Sequence, residues 1–191
     1  RRSDILSATP TAGVRGAVWL RSSSTDVGHD EIVIRARPLL LVDIDGVLNV
    51  YGVDACPDVY REYDLFPEDD DPTRLATVHG DWLTELGGVF DLVWASAWGI
   101  LANELIAPIL RIRPLPFVPM PEIPFPARDK VPAIDAYVGD MPVAWLDDVV
   151  VDEAVAWASE RTASTLLVEV DHRAGLQRRH VDQLLAWATQ L

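Results

Sequence analysis

Asp43 and Asp45 stand one residue apart, directly after the unbroken apolar run Leu39-Leu40-Leu41-Val42 and just before Gly46. Such a run, closed by polar residues and glycine, reads as a strand buried on both faces, as in a parallel sheet. Two acids held at its carboxyl end repel each other and lose hydration unless a cation or a shared proton compensates. Gly46 lets the chain turn tightly behind them. Open α/β sheets bind ligands at the carboxyl ends of their strands. The stretch from Leu39 to Gly52 therefore reads as a site before anything else in the chain is considered.

Three more polar features are placed in the same manner. Ser96 follows a second buried strand, Val89 to Ala95. Lys130 stands at the mouth of a helix predicted over Val131 to Val138, with Asp129 as its cap, Pro132 in its first turn and Gly139 at its end. Asp147 and Asp148 follow the apolar strand Val143-Ala144-Trp145-Leu146. All strands of a parallel sheet present their carboxyl ends to one rim, so these groups can converge. Together they offer carboxylates for a hard cation, a hydroxyl, an ammonium and the free N–H groups of turns and helix starts. That is the equipment for holding and neutralising a phosphoryl group.

The elements that must position these groups alternate between strand and helix. Helices are expected at Gly80 to Leu86, at Ile100 to Leu110, from Asp152 as a cap through Glu160, and from Leu176 to Gln190. The last carries Val181, Leu184, Leu185, Ala188 and Leu191 on one apolar face. Thr165 to Val170 is a further strand, and Leu115 to Val118 a short one within the proline-rich 114–126 segment. The pattern predicts an α/β fold, a three-layer Rossmann-like parallel sheet. Tyr60 to Phe66 and Arg74 to Val78 read as a hairpin around the acidic turn Glu68 to Pro72, a solvated loop tip. The Val50 to Val78 insert has room for a short flap and none for a large cap. Residues 39–191 form the α/β domain. Residues 1–38 are an N-terminal extension in which Gly16 to Leu20 and Ile32 to Ile34 read either as paired strands or as a poorly ordered piece.

Composition narrows the function. Of 191 residues, 49% are hydrophobic, ample for a core, and the formal net charge of −14 argues against a basic nucleic-acid groove over the whole surface. The single Cys56 excludes an internal disulfide and fits a reducing compartment. No apolar run approaches a membrane span, and the first residues lack the apolar core of a signal peptide. A cytoplasmic protein with no membrane partner is the expectation; the oligomeric state is not legible.

Taken together, Asp43-Ile44-Asp45-Gly46-Val47-Leu48, Ser96, Lys130 and Asp147-Asp148 resemble, in order and spacing, the four motifs of the haloacid dehalogenase (HAD) superfamily, over about Leu39 to Leu191. More narrowly, DIDGVLN, WASAW with Ala102-Asn103 downstream, WLDD, and the Gly175-Leu176 to Trp187 end look like a small bacterial HAD group related to domains of multidomain RNA-repair proteins. The resemblance implies that Asp43 is the nucleophile of an aspartyl-phosphate and that Asp45 is the general acid and base. It implies Ser96 and Lys130 on the phosphoryl oxygens, and Mg²⁺ on the Asp43 side chain, the Asp45 carbonyl and Asp147 or Asp148. Dehalogenases lack an acid at the Asp45 position, so the implied activity is that of a phosphatase. Its substrate would be a phosphorylated small molecule, such as a nucleotide, or a nucleic-acid end.

Each residue also has a plainer reading. Ser96 can be a helix cap, Lys130 a surface charge, and Asp147 and Asp148 strand-end caps. Asn49 and Asn103 read equally as substrate contacts or as turn and helix residues. Trp98 and the other tryptophans read as packing, with Trp98 nearest the site. Arg111, Arg113, Arg128 and Arg173 are candidates for a second anionic group. His79 and His172 lack metal-ligand spacing. Rival classes are a non-catalytic HAD-like module that binds a phosphorylated ligand or partner, and a receiver-like phosphoacceptor, whose phosphorylated acid usually follows a middle strand.

Overall fold

The structure, a computed structural model, describes residues 37–68 and 71–191. The expected N-terminal extension up to residue 36, with its two candidate strands, lies outside the described residues, as do Asp69 and Asp70 of the acidic turn. Four strands form one parallel sheet: β1 (Leu39–Val42), β4 (Asp91–Trp94), β5 (Val143–Asp147) and β6 (Thr165–Glu169), in the order β4-β1-β5-β6. The chain leaves β1 for β4 on one side, then crosses back to β5 on the other. The carboxyl ends of β1 and β5 thus flank the point where the winding reverses, which opens a crevice there.

Alternate residues of these strands feed two cores, because successive side chains point to opposite faces. Leu40, Val42, Ala144 and Leu146 pack with Leu83 and Leu86 of α1 (Val78–Leu86), Leu110 of α2 (Ala107–Leu110), and Val181 and Leu184 of α5 (Arg178–Ala188). Leu41, Val93, Val143 and Trp145 pack with Ile134 and Val138 of α3 (Lys130–Val138) and Ala154 of α4 (Asp152–Glu160). The α/β architecture, with helices on both faces of a parallel sheet, is the one the strand pattern predicts. A separate antiparallel pair, β2 (Arg61–Tyr63) and β3 (Thr73–Leu75), forms the expected hairpin. Among the described residues no helix is long and apolar enough to cross a membrane.

Several local expectations shift. Asp129 and Asp152 do not cap their helices through their side chains. Asp129 ends a 3₁₀ turn (Ala127–Asp129) that runs into α3, and Asp152 lies inside the first turn of α4, where its charge still favours the helix dipole. The expected Ile100–Leu110 helix is a π-helical turn (Ala102–Ile106) followed by the single turn of α2, with Pro108, which has no N–H to donate, in that turn. The expected strand near Leu115 is one bridge, Trp94 to Phe117, beside β4. The last helix starts two residues later than expected, where Gln177 and His180 form a reciprocal cap.

His79 in α1 is buried with one ring nitrogen unpartnered. Its Nε2–H donates to the Leu176 carbonyl at 3.1 Å, while Nδ1 has no partner among the described residues. Burial pulls its pKa down to about 4, against the smaller upward effect of that bond. Below pH ~6.5 the unfolded chain therefore binds a proton that the folded chain refuses, so this stability is present above pH ~6.5 and is lost as the pH falls toward 4. We predict that between pH 7 and 4 the wild type loses about 3 kcal/mol more than His79→Gln in urea unfolding, at 1.36 kcal/mol per pH unit. Parallel stability curves for the two proteins would contradict this.

Candidate functional site

Adjacent β1 and β5 are paired in parallel register, Val42 facing Leu146. The next residue on each, Asp43 and Asp147, is therefore brought to the same rim. The Lys130 ammonium, at the first position of α3, donates to Asp43 Oδ2 at 2.6 Å and to Asp147 Oδ2 at 2.7 Å. The second oxygen of each acid is held by backbone: Ile44 N–H donates to Asp43 Oδ1 at 2.8 Å, and Val149 N–H to Asp147 Oδ1 at 3.0 Å. Trp145 Nε1–H adds a bond to Asp147 Oδ2 at 3.2 Å. Side-chain exposure is 6% for Asp43, 1% for Asp147 and 12% for Lys130, so these charges interact with little screening by water.

The electrostatics follow from that burial. Asp43 is pushed up to about 7, by desolvation first and the Asp147 charge second, with Lys130 pulling it back. Desolvation likewise raises Asp147 against the pull of Lys130. Burial alone would lower Lys130, but Asp43 and Asp147 outweigh it and hold the ammonium well above its ordinary range. Asp148 lies beside the pair. One carboxylate oxygen from each of Asp43, Asp147 and Asp148 falls within 4.8 Å of the others, and such a group can hold a metal ion. The donors are all oxygen, which suits a hard cation. Fully ionised, three carboxylates against one ammonium would leave an excess of two negative charges, the amount a divalent cation would offset.

Asp45 faces the same cavity, of about 410 Å³, together with Ser96, Ala97 and Lys130. Both its oxygens accept side-chain bonds: Asn49 Nδ2–H donates to Oδ1 at 2.8 Å, and Trp98 Nε1–H to Oδ2 at 2.8 Å. Asn49 is anchored in turn, its Oδ1 accepting from Arg74 N–H of the hairpin at 2.7 Å. Tyr51 OH donates to Asp148 Oδ2 at 2.6 Å. Ser96 is buried at the end of β4, and its hydroxyl makes no hydrogen bond to a described residue.

Six of the eight residues singled out from sequence thus meet around one cavity: Asp43, Asp45, Ser96, Lys130, Asp147 and Asp148. Asn49 orients Asp45 and lines the neighbouring cleft. Asn103 is placed otherwise. Its Oδ1 accepts from Trp94 Nε1–H at 2.9 Å and Leu115 N–H at 2.8 Å, and its Nδ2–H donates to the Leu115 carbonyl at 2.7 Å. It pins the segment after α2 to the end of β4 and lines neither cavity at the rim. Arg111, Arg113, Arg128 and Arg173 line neither of these cavities. The roles of Trp98 and Tyr51 as donors to site acids were missed. Trp98 lies two residues beyond Ser96 and Tyr51 two beyond Asn49, and a search for N–H and O–H donors near the acid pair would have singled them out.

Gly46 closes the loop with φ +75, and a Cβ there would collide with the Asp148 carboxyl. Gly46→Ala is expected to cost about 1–3 kcal/mol in urea unfolding, from the left-handed backbone and the displaced acid. An unchanged stability would mean that the loop relaxes freely.

In comparison with known proteins, no family model matches the chain and no curated protein matches it.

Proposed function

We propose that the protein is a Mg²⁺-dependent phosphoester hydrolase of HAD type that works through an aspartyl-phosphate on Asp43, with the short hairpin in place of a cap. The observation that carries this reading is the Lys130 ammonium bridging Asp43 and Asp147 at 2.6 and 2.7 Å, beside Asp148, at the carboxyl ends of adjacent parallel strands. The charge balance supports the same reading. Among its described lining residues the cavity holds Asp43, Asp45, Asp147 and Asp148 against Lys130 alone, so a phosphate dianion would enter together with a cation. Mg²⁺, held by Asp43, Asp147 or Asp148 and the Asp45 carbonyl, would supply charge neutralisation when bound.

The chain's own groups fit the remaining roles. A carboxylate oxygen of Asp43 attacks phosphorus as the bond to the leaving oxygen breaks. Asp45, held by Asn49 and Trp98, gives its proton to that oxygen. Asp45, now a carboxylate, takes a proton from water, and the water oxygen attacks phosphorus. The bond to Asp43 breaks, and inorganic phosphate and the free Asp43 carboxylate return. Lys130 and the Ser96 hydroxyl hold phosphoryl oxygens throughout. The substrate is a phosphorylated small molecule, such as a nucleotide, or a nucleic-acid end.

Hydrolysis of an aryl phosphate is expected to require Mg²⁺ and to fall by on the order of 10³-fold or more in Asp43→Asn with the fold intact. Mg²⁺ binding and phosphate-ester binding by folded wild type without any turnover would instead favour the non-catalytic module. Trp98→Phe, which removes the N–H and keeps a ring, is expected to lower kcat by about tenfold with a smaller change in KM, because Asp45 loses one of its two side-chain donors. An unchanged kcat would mean that Asn49 alone positions Asp45.

A further inference from the structure

A second cleft, of about 450 Å³, opens beside the acid cavity and shares Asp45, Ala97 and Ile123 with it. Asp45 is thus the partition between the two. On the reading above, the phosphoryl group occupies one side of Asp45 and the leaving oxygen faces the acid that protonates it. Whatever is attached to that oxygen then extends into the second cleft.

The walls of this cleft have a consistent chemistry. Phe66 of the hairpin and Trp98 after β4 form a ring pair with centroids 5.1 Å apart and planes at 56°. Leu101 and Ile123 add exposed apolar surface at 39% and 73% exposure. Most donors of the lining are already engaged, the Asn49 amide and Trp98 N–H on Asp45 and the Tyr51 hydroxyl on Asp148, which leaves the hydroxyl of Thr73. The Arg74 guanidinium is paired with Glu62 at 3.0 Å. No free cation among the described lining residues awaits a second phosphate or a carboxylate, and Asp71 at the rim would repel one. Few unengaged donors and acceptors remain for a polyol. Aromatic faces with apolar flanks favour a flat partner, since stacking rewards a planar π-system over a saturated ring of similar size.

We propose that this cleft is the leaving-group subsite and that it takes a flat, uncharged ring, aromatic or heteroaromatic, joined to the phosphate through its ester oxygen or a short linker. The proposal rests on the phosphoester-hydrolase reading for its geometry and adds the substrate class. The test compares benzyl, cyclohexylmethyl and glycerol 1-phosphates with Mg²⁺, esters of primary alcohols that differ chiefly in ring planarity and polarity. The expected result is a kcat/KM for benzyl phosphate at least about tenfold above each of the others. That ratio is expected to fall toward one in Phe66→Leu, which keeps apolar bulk and loses the flat face, and in Phe66→Ala. Equal values for the three esters, or a preference that both variants retain, would overturn the proposal.

If no phosphoester is turned over, the hydrolase reading fails separately. The cleft is then judged by calorimetric binding of benzylphosphonate against cyclohexylmethylphosphonate in the presence of Mg²⁺. A preference for the flat ring that Phe66→Leu abolishes upholds it, and equal or absent binding overturns it.

Discussion

The ammonium of Lys130 between Asp43 and Asp147 is the interaction on which the site and much of the rim depend. Two carboxylates on neighbouring strands, nearly withdrawn from water, would repel each other strongly and could not both stay ionised at neutral pH. Lys130 approaches both within hydrogen-bond distance because it opens α3, whose Ile134 and Val138 are packed against the sheet. The position of the charge is thus fixed by apolar packing elsewhere. Removing one member of such a buried set leaves an uncompensated charge, at a typical cost of about 3–5 kcal/mol. The compensation is incomplete even so: burial and the Asp147 charge still hold Asp43 well above the usual carboxylate range. The site therefore keeps its ionised carboxylates at a cost in stability, a pattern expected where electrostatics are arranged for binding a cation or an anionic ligand with a cation.

The same constraint explains why the winding of the sheet matters. Had β4 lain between β1 and β5, Asp43 and Asp147 would have been separated by a whole strand, roughly another 4.8 Å, beyond the reach of a single ammonium. The order β4-β1-β5-β6 puts them on neighbours and leaves Ser96 on the other flank of β1. The tight turn at Gly46 then folds Asp45 back to the cavity while Ile44, Val47 and Leu48 anchor the loop in the core. Asp43 and Asp45 are close in sequence but differ in support. Asp43 rests on the sheet and α3, and Asp45 rests on Asn49, Trp98 and, through Asn49, the hairpin.

The strands, the two-sided helices and the hairpin were legible in the sequence because continuous apolar runs and 3.6-residue periodicity report burial directly. So were Asp43, Asp45, Ser96, Lys130, Asp147 and Asp148, since parallel strands force their ends onto one rim. Helix starts were less legible. Asp129 and Asp152 look like caps by type, yet whether a side chain turns back to its own helix depends on the path of the preceding turn, which neighbouring residues do not encode. Asn103 had the right type and sat near the right loop, but Leu115, twelve residues on, supplies the backbone groups that claim it. Trp98 presented the converse difficulty. A tryptophan reads first as packing, and only the three-dimensional placement of its N–H against Asp45 reveals a polar task.

The hairpin joins these strands of argument. Arg74 N–H of β3 holds Asn49, and Asn49 holds Asp45; Phe66, just beyond β2, meets the ring of Trp98, and Trp98 holds the other oxygen of Asp45. Both donors that orient Asp45 are therefore tied to the insert that also walls the neighbouring cleft. A ligand pressing on Phe66 or on the Trp98 ring would act on the carboxylate through the single hydrogen bond from Trp98. A single short hairpin thus both walls the cleft and supports Asp45, so the shape of the cleft and the orientation of that carboxylate are mechanically coupled.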